Sequence, residues 1–157
     1  MDNKKYQFEN SIDAIKSYKK SNKKIVFTNG CFDILHVGHI RYLSEAKLLG
    51  DILVVGINSD ESVKNLKGPS RPINSLSDRS LILSELVCVD YVISFKEQTP
   101  LKLIKKIMPD ILVKGGDYTL DNVVGSKEVI GAGGKVELLK FHDGYSSTNY
   151  IDKIKKH

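Results

Sequence analysis

Residues 28–39 read Thr-Asn-Gly-Cys-Phe-Asp-Ile-Leu-His-Val-Gly-His and join two segments of different pattern. Before them, residues 24–28 form a short β-branched and aromatic run, which is typical of a strand buried on both faces of a parallel sheet. After them, the apolar positions of residues 40–49 recur at helical spacing. The sequence therefore predicts a strand, a turn and a helix, which is the first half of a βαβ unit.

Two histidines stand three residues apart at the start of this predicted helix. His36 and His39 would lie on one face, beside the positive end of the helix dipole. Gly38 has no side chain, so a phosphate could approach backbone N–H groups there. The stretch therefore predicts an anion site with two imidazole donors. In the alternative, one histidine caps the helix and the other packs or is solvated, which a lone histidine would favour.

Length and composition indicate one α/β domain. The chain has 157 residues, of which 41% are apolar, enough for a single core. We expect a single domain over residues 1–157, with residues 1–23 as a helical extension and residues 24–157 as the core. The two cysteines, Cys31 and Cys88, are far apart and lack neighbours at zinc-ligand spacing, which argues against a structural metal or a disulfide framework.

The chain carries no signal for a membrane or for export. No apolar run approaches the length of a membrane span, and the amino terminus lacks the apolar core of a secretion signal. We therefore expect a cytoplasmic protein with no membrane partner. The net charge of +5 is spread along the chain, which suits anionic small molecules better than nucleic acid.

Strands and helices alternate along the chain. Predicted strands cover residues 24–28, 51–58, 91–94, 111–114 and 135–139. Predicted helices cover residues 8–20, 40–49 and 150–156, and others begin near residues 59, 77, 100 and 125. This alternation predicts a Rossmann-like parallel sheet of about five strands with helices on both faces.

Basic residues gather after the second predicted strand. Lys64, Lys67 and Arg71 could close over phosphates, because the carboxyl ends of parallel strands face the ligand crevice. A solvated basic loop is the alternative for each of them. Arg79, at the start of the next helix, either pairs with a carboxylate locally or reaches the site.

Two later turns are further candidates for ligand contact. Residues 114–118 read Lys-Gly-Gly-Asp-Tyr, and two glycines at a strand end suggest backbone lying against a ligand. Residues 146–148 read Ser-Ser-Thr before the terminal helix. Helix capping needs only one of these hydroxyls, so the three together predict a second phosphate cradle.

These three motifs, in this order, resemble those of the cytidylyltransferase-like nucleotidyltransferases. Within that family the sequence is most similar to the D-glycero-β-D-manno-heptose 1-phosphate adenylyltransferases, from about residue 24 to residue 153. The segments that carry this likeness are residues 58–60, 66–72, 113–118, 125–128 and 143–144. The resemblance implies transfer of AMP from ATP to the heptose 1-phosphate, giving pyrophosphate and ADP-heptose for lipopolysaccharide or another surface glycan.

The resemblance also implies roles for individual residues. Catalysis would rest on His36 and His39. Nucleotide binding would involve Cys31, Phe32, Gly38, Lys114, Gly116, Asp117, Ser146, Ser147 and Thr148. Substrate binding would involve Asn29, Asp33, Lys64, Lys67, Arg71 and Arg79. The implied cofactor is Mg²⁺ held mainly by the ATP phosphates, so no cage of protein metal ligands is expected.

Two other functions stay open. A cytidylyltransferase acting on glycerol 3-phosphate usually carries Arg-Thr-Glu-Gly where residues 141–144 read Phe-His-Asp-Gly, and this departure favours the heptose enzyme. A nucleotide-binding domain without turnover is the alternative of another class, and the intact histidines and hydroxyl turn argue against it.

Two expectations concern partners. We expect a homodimer, because relatives of this fold commonly pair and because residues 88–92 offer apolar surface near a sheet edge. In many bacteria the adenylyltransferase is half of a bifunctional protein whose other half is a sugar kinase, and 157 residues leave no room for it. A separate heptose kinase is therefore expected.

Overall fold

A computed structural model describes residues 10–140 and 144–156 of the protein. The strands are β1 (Ile25–Gly30), β2 (Ile52–Asn58), β3 (Tyr91–Phe95), β4 (Ile111–Gly115) and β5 (Lys135–Leu139). The helices are α1 (Asn10–Lys20), α2 (Val37–Leu48), α3 (Asp60–Lys67), α4 (Leu76–Ser84), α5 (Leu101–Ile107), α6 (Ser126–Gly131) and α7 (Ser147–Lys155). A 3₁₀ turn over Leu120–Asn122, which the sequence pattern did not predict, precedes α6.

The five strands form one parallel sheet in the order β3-β2-β1-β4-β5. This confirms the predicted fold class. The chain starts in the middle of the sheet, builds outward through β2 and β3, and then crosses back to β4. In sheets of this kind, ligands bind where the strand order reverses, outside the carboxyl ends of the two central strands. Here those strands are β1 and β4.

The sheet separates two apolar layers, because successive side chains of a strand point to opposite faces. Val26 packs in a layer with Leu43 of α2 and Leu83 of α4. Phe27 packs in the other layer with Ile15 of α1 and Ile104 of α5. Helices therefore cover both faces, as the sequence predicts.

Two helices begin earlier than the sequence pattern predicts. α2 begins at Val37 because His36 is its N-cap, with φ −143° and ψ 169°, and its side chain accepts a hydrogen bond from the His39 N–H. α7 begins at Ser147 because Ser146 is its cap. In both cases the cap itself belongs to a motif that the sequence had assigned to a ligand. For α1, the predicted first residues, 8 and 9, lie outside the described residues.

The predicted dimer surface does not have the expected composition. Val89 and Val92 are buried in the core, with exposures of 0% and 3%. Both pack in the apolar layer that contains Leu43 and Leu83, Val92 as part of the edge strand β3 and Val89 from the segment just before it. The exposed apolar side chains of this region are instead Leu81, Ile82 and Val87.

None of the helices in the described part of the chain combines the length and the apolar character needed to cross a bilayer.

Candidate active site

A cavity of about 800 Å³ opens beyond the carboxyl ends of β1 and β4, where the strand order reverses. Most of the residues predicted for the site line this cavity. They are Asn29, Cys31, Phe32, Asp33, His36, Gly38, His39, Lys67, Arg71, Lys114, Ser146, Ser147 and Thr148.

His36 and His39 lie together on one wall of the cavity, here called the histidine wall. Their rings stack with centroids 3.8 Å apart and planes 21° apart. The Phe32 ring lies against His39, with centroids 5.2 Å apart. This is the common orientation that their spacing predicts. One part of the alternative interpretation also holds, because His36 caps α2 while facing the cavity.

The surroundings of both imidazoles favour the neutral form. Burial, together with the nearby His36 and Lys67, lowers the pKa of His39 to about 4. Burial also lowers the pKa of His36. Since Nδ1 of His36 accepts a hydrogen bond from the His39 N–H at 3.4 Å, the ring hydrogen of neutral His36 is on Nε2. A phosphate close to the rings would raise both pKa values, because it favours their charged forms.

Nδ1 of His39 is buried and has no hydrogen-bond partner among the described residues. Leaving a buried polar atom unpaired costs about 1–3 kcal/mol. Oγ of Ser80, which does not line the cavity, is also unpaired within the described part of the chain, so a missing partner does not by itself mark a ligand site. The histidines are candidates because their stacked rings line the cavity.

Gly38 leaves space for neighbouring side chains. A Cβ at this position would lie 2.9 Å from Cβ of Tyr145 and 3.0 Å from Nδ1 of His36. Tyr145 is a cavity residue that the sequence did not single out, and its ring centroid lies 6.2 Å from that of His36. The glycine thus permits the close packing of the histidine wall, in addition to any approach of a phosphate.

The hydroxyl residues at the start of α7 make hydrogen bonds within the protein and also line the cavity. Oγ of Ser146 accepts a hydrogen bond from the Asn149 N–H at 3.4 Å, and Oγ of Ser147 donates to the Ile34 carbonyl at 2.9 Å. These bonds fix the start of α7 beside the turn that precedes α2. The backbone N–H groups of the first turn of α7 lack intrahelical partners and are suited to an anion.

Asp33 holds the neighbouring loop in place. Its carboxylate accepts from Nε of Arg71 at 2.6 Å and from the backbone N–H groups of Ile73 and Asn74 at 2.8–2.9 Å. Burial alone would raise the pKa of Asp33, but these hydrogen bonds outweigh it and keep the pKa below its ordinary value. The sequence predicted that this carboxylate contacts the substrate. In the structure it instead anchors the loop that contains Arg71, and it orients the Arg71 side chain at the cavity.

Arg79 is placed differently from the substrate-binding prediction. It is 1% exposed and does not line the cavity. It donates to the carbonyl oxygens of Cys31, Asn58 and Asn74 at 2.6–3.0 Å, and to Oδ1 of Asp60 at 2.7 Å. The alternative in which it pairs with a local carboxylate is the arrangement found. Because these hydrogen bonds occupy its guanidinium, Arg79 affects the site by holding together the loops that carry Cys31, Asn58 and Asn74.

Three other predicted residues do not line the cavity. Lys64 and Asp117 are exposed to solvent. Gly116 has φ 107° and uses its N–H on the Leu139 carbonyl at 3.1 Å, so its glycine is required by the turn itself. The structure therefore does not bring these residues to the site.

Lys114 lies at the carboxyl end of β4 and reaches the cavity. Its Nζ lies 3.5 Å from Oδ1 of Asn29 and 5.3 Å from the ring centroid of Tyr118. Burial lowers the pKa of Lys114, although the Cys31 thiolate would raise it. No carboxylate pairs with this ammonium among the described residues.

Several cavity residues were not found from the sequence. Among them are Tyr42, Asn58, Gln98, Thr99, Asn122 and Tyr145. Asn58 ends β2, and Gln98 follows β3, so the rule that ligands lie beyond the carboxyl ends of strands could have found both. The sequence offered no comparable signal for Asn122 or Tyr145, which come from the 3₁₀ turn and from the segment before α7.

A family model and the most similar relatives that were found identify the same family for this chain. Residues 27–153 match the model of the cytidylyltransferase-like family. The chain is 54% identical over 144 residues, 92% of its length, to the bifunctional protein HldE of Vibrio vulnificus. It spans only about 30% of the length of that curated relative.

Two solved structures are similar. The lipopolysaccharide core biosynthesis protein from Thermoplasma volcanium GSS1 is 34% identical with a TM-score of 0.64, covering 79% of this chain and 99% of its own. The pantoate-beta-alanine ligase from Francisella tularensis, at 19% identity and a TM-score of 0.62, covers 89% of this chain and 70% of its own and shows the fold alone. On the fold, the cavity and these matches together, the chain belongs to the cytidylyltransferase-like family of nucleotidyltransferases.

Proposed function

We propose that the protein transfers AMP from ATP to D-glycero-β-D-manno-heptose 1-phosphate, releasing pyrophosphate and ADP-heptose. The observation that carries the proposal is the stacked pair of His36 and His39, which shares one cavity with residues 146–148 at the start of α7. Similarity to proteins named HldE, and to one described as a lipopolysaccharide core biosynthesis protein, supports a sugar acceptor.

The reaction suits the groups in the cavity. An oxygen of the sugar phosphate attacks the α-phosphorus of ATP, the bond from that phosphorus to the bridging oxygen breaks, and pyrophosphate leaves. Because the attacking oxygen is already ionised, no general base is needed, and catalysis can rest on positioning and on stabilising charge. We assign that stabilisation to His36 and His39, each donating an N–H to the phosphates around the reacting bond.

The remaining cationic and hydroxyl groups would hold the phosphates that do not react. Residues 146–148 and the N–H groups at the start of α7 would receive the β- and γ-phosphates. Lys67 and Arg71 would neutralise the sugar phosphate or the triphosphate, with Arg71 oriented by Asp33.

Magnesium fits this site only through the nucleotide. In the described part of the chain, no group of three His, Cys, Asp or Glu side chains could hold a metal ion. The one carboxylate among the described lining residues, Asp33, has its oxygens engaged by Arg71, Ile73 and Asn74. We therefore propose that Mg²⁺ enters as the ATP complex, keeping its waters and supplying charge neutralisation to the triphosphate.

A side-by-side assay of pyrophosphate release tests the proposal. We expect ATP with the heptose 1-phosphate to be turned over much faster than CTP with glycerol 3-phosphate. Faster turnover of the second pair would make the protein a cytidylyltransferase, and binding of nucleotide without turnover of either pair would make it a non-catalytic domain. The residues that favour the first pair, 141–143, lie outside the described part of the chain.

The proposed reaction bears on where the protein works and on which enzyme supplies the sugar 1-phosphate. Since it consumes ATP, we propose that the protein works in the cytoplasm, and that a separate kinase supplies the sugar 1-phosphate. Fractionation of cells that express the protein tests the location. Feeding unphosphorylated heptose with ATP tests the second point, because no ADP-sugar should form until a kinase is added.

We also propose a homodimer that uses the exposed Leu81, Ile82 and Val87 beside the edge strand β3. Light scattering at micromolar concentration should give twice the 17.5 kDa mass of one chain. A mass of one chain would contradict the proposal.

A further inference from the structure

The two central strands separate where the cavity begins. β1 pairs with β2 at six positions but with β4 at only two, and the last of these joins Phe27 to Leu112. Both strands then continue for three more residues, to Gly30 and Gly115, and these two glycines line the cavity. The floor of the cavity is therefore a gap between β1 and β4 that strand pairing does not bridge.

The hydroxyl of Tyr42 lies at this gap. Tyr42 belongs to α2, and its oxygen lies 2.6 Å from Oγ1 of Thr28, the residue that follows the last paired position of β1. Burial raises the pKa of Tyr42 to about 12, against the opposing effects of Thr28 and of the Gly115 backbone N–H. The hydroxyl therefore stays protonated and is in contact with both central strands.

This polar pair is set in an apolar layer. Thr28 is 0% exposed and Tyr42 is 7% exposed, and Tyr42 packs in the layer that contains Leu43 and Leu83. Two hydroxyls in such surroundings are costly unless they are bonded, and phenylalanine would fill the same space without needing a partner. What the hydroxyls add is direction, because a buried hydrogen bond fixes the depth and rotation of a helix more narrowly than apolar contact does.

Tyr42 also lies one helical turn after His39. Residues three apart share a face of a helix, and long side chains lean toward the helix start, so Tyr42 lies beneath the histidine wall. The His39 ring is packed between aromatic neighbours, His36 at 3.8 Å and Phe32 at 5.2 Å between centroids. Its Nδ1 has no hydrogen-bond partner among the described residues that would fix the ring. The position of this ring therefore follows the position of α2.

We propose that Tyr42 is a positioning residue for His39, and that its hydroxyl, bonded to Thr28, fixes α2 across the gap between β1 and β4. The inference rests on the proposed function, in which His39 is a donor to the reacting phosphates. It gives Tyr42 a different task from the loop residues Asp33 and Arg79, because Tyr42 acts on the helix that carries the histidines.

Steady-state kinetics of Tyr42→Phe test the role of the hydroxyl. We expect kcat to fall about 5- to 20-fold, because a small displacement of His39 costs less than the roughly 10²-fold loss of a full 1 Å misplacement. The KM values for ATP and for heptose 1-phosphate should change less than about twofold, since no substrate contact is lost. Tyr91→Phe is the matched control, because its hydroxyl bonds to that of Tyr18 and lies outside the cavity.

The partner residue gives a second test of the same bond. Thr28→Val removes the hydroxyl and keeps the shape, so it should lower kcat about as much as Tyr42→Phe does. Thr28→Ser keeps the hydroxyl and should recover most of the loss. Equal kcat for the valine and serine variants would overturn the proposal.

A double variant separates positioning from direct contact with substrate. In the His39→Ala background, Tyr42→Phe should lower kcat by less than about twofold, because the residue through which it acts is gone. If the two losses instead multiply, Tyr42 contacts the substrate itself and the proposal is overturned. A lower melting temperature with unchanged kcat per folded molecule would also overturn it, because the hydroxyl would then be only structural.

Nuclear magnetic resonance of the histidine rings tests the inference without turnover. The ring signal of His39 is identified by its loss in His39→Ala, and it should shift in Tyr42→Phe and stay in place in Tyr91→Phe. An unmoved signal in Tyr42→Phe would overturn the inference. If the wild-type protein releases no pyrophosphate with either substrate pair, the proposed function fails, and the ring signal alone decides whether Tyr42 fixes His39.

Discussion

The loop anchors Asp33 and Arg79 differ from the histidine wall, His36 and His39, in how far the protein itself satisfies their polar groups. Arg79 and Asp33 spend their donors and acceptors on carbonyls, backbone N–H groups and charged partners. His39 leaves a buried nitrogen without a partner among the described residues, and Lys114 has no counterion there. Satisfied groups fix the position of the loops, whereas unsatisfied groups that also line the cavity are free to contact a ligand.

The largest expected effect is the loss of folding stability when a loop anchor is removed. Arg79→Met should lower the free energy of unfolding by about 3–5 kcal/mol, because it leaves an uncompensated network of carbonyls in the interior. Urea denaturation at pH 7 measures this change. Arg41→Met, at an exposed arginine of α2, should change it by less than about 0.5 kcal/mol. Unchanged stability of the Arg79 variant together with a raised KM for either substrate would instead make Arg79 a ligand.

The histidine wall should show the opposite pattern. His36→Ala and His39→Ala should each lower kcat by about 10²–10³, the usual cost of losing one preorganised donor. Folding should survive, because alanine is a good helix former at position 39, and because the capping bond lost at position 36 is long at 3.4 Å and such a loss costs only about 0.5–2 kcal/mol. Melting temperature and kcat are measured on the same preparations. Lost thermal stability with normal turnover per folded molecule would show that the histidines are structural.

The pH dependence of stability sharpens the comparison. The pKa of His39 is lowered from 6.5 to about 4 in the folded protein, so between these values the unfolded chain binds more protons. Stability should therefore be complete above pH 6.5 and fall as the pH drops toward 4, by up to about 3 kcal/mol from this residue. Urea denaturation of the wild type and of His39→Gln should show a shallower decline for the variant. Identical profiles would contradict the burial of a neutral imidazole.

The smallest expected effect comes from adding a methyl group at Gly38, which packs against His36 in the histidine wall. Gly38→Ala should destabilise the protein by about 1–3 kcal/mol, because the added methyl would overlap Tyr145 and His36. It should also lower kcat by roughly tenfold through displacement of the His36 ring. Gly131→Ala is the matched control, since a Cβ there meets nothing within 4 Å and alanine favours the helix. Equal stability of the two variants in thermal melts would show that the wall has room to adjust.

The sequence was informative where function and structure depend on neighbours along the chain. All five strands, and the pairing of two histidines on one face, follow from local spacing. The helix starts at Val37 and Ser147 were placed too late, although a cap was foreseen in both motifs, because the pattern does not say which residue is the cap.

The misplaced residues have a different cause. The role of Arg79 depends on carbonyl groups that lie up to 48 residues away in sequence, and no local pattern reports them. The same holds for Asp33, whose partners at Arg71, Ile73 and Asn74 lie about 40 residues further along the chain. A charge near a motif therefore predicts a place near the site more securely than it predicts contact with a ligand.

The hydrogen bond from Ser147 to the Ile34 carbonyl joins residues that are 113 positions apart. The five strands end at Leu139, eight residues before Ser147, and they pair only with one another among the described residues. The sheet can therefore form without α7, whereas the cavity has its last wall only when Ser147 is bound to the loop between β1 and α2. Loss of α7 would open the cavity and leave the sheet intact.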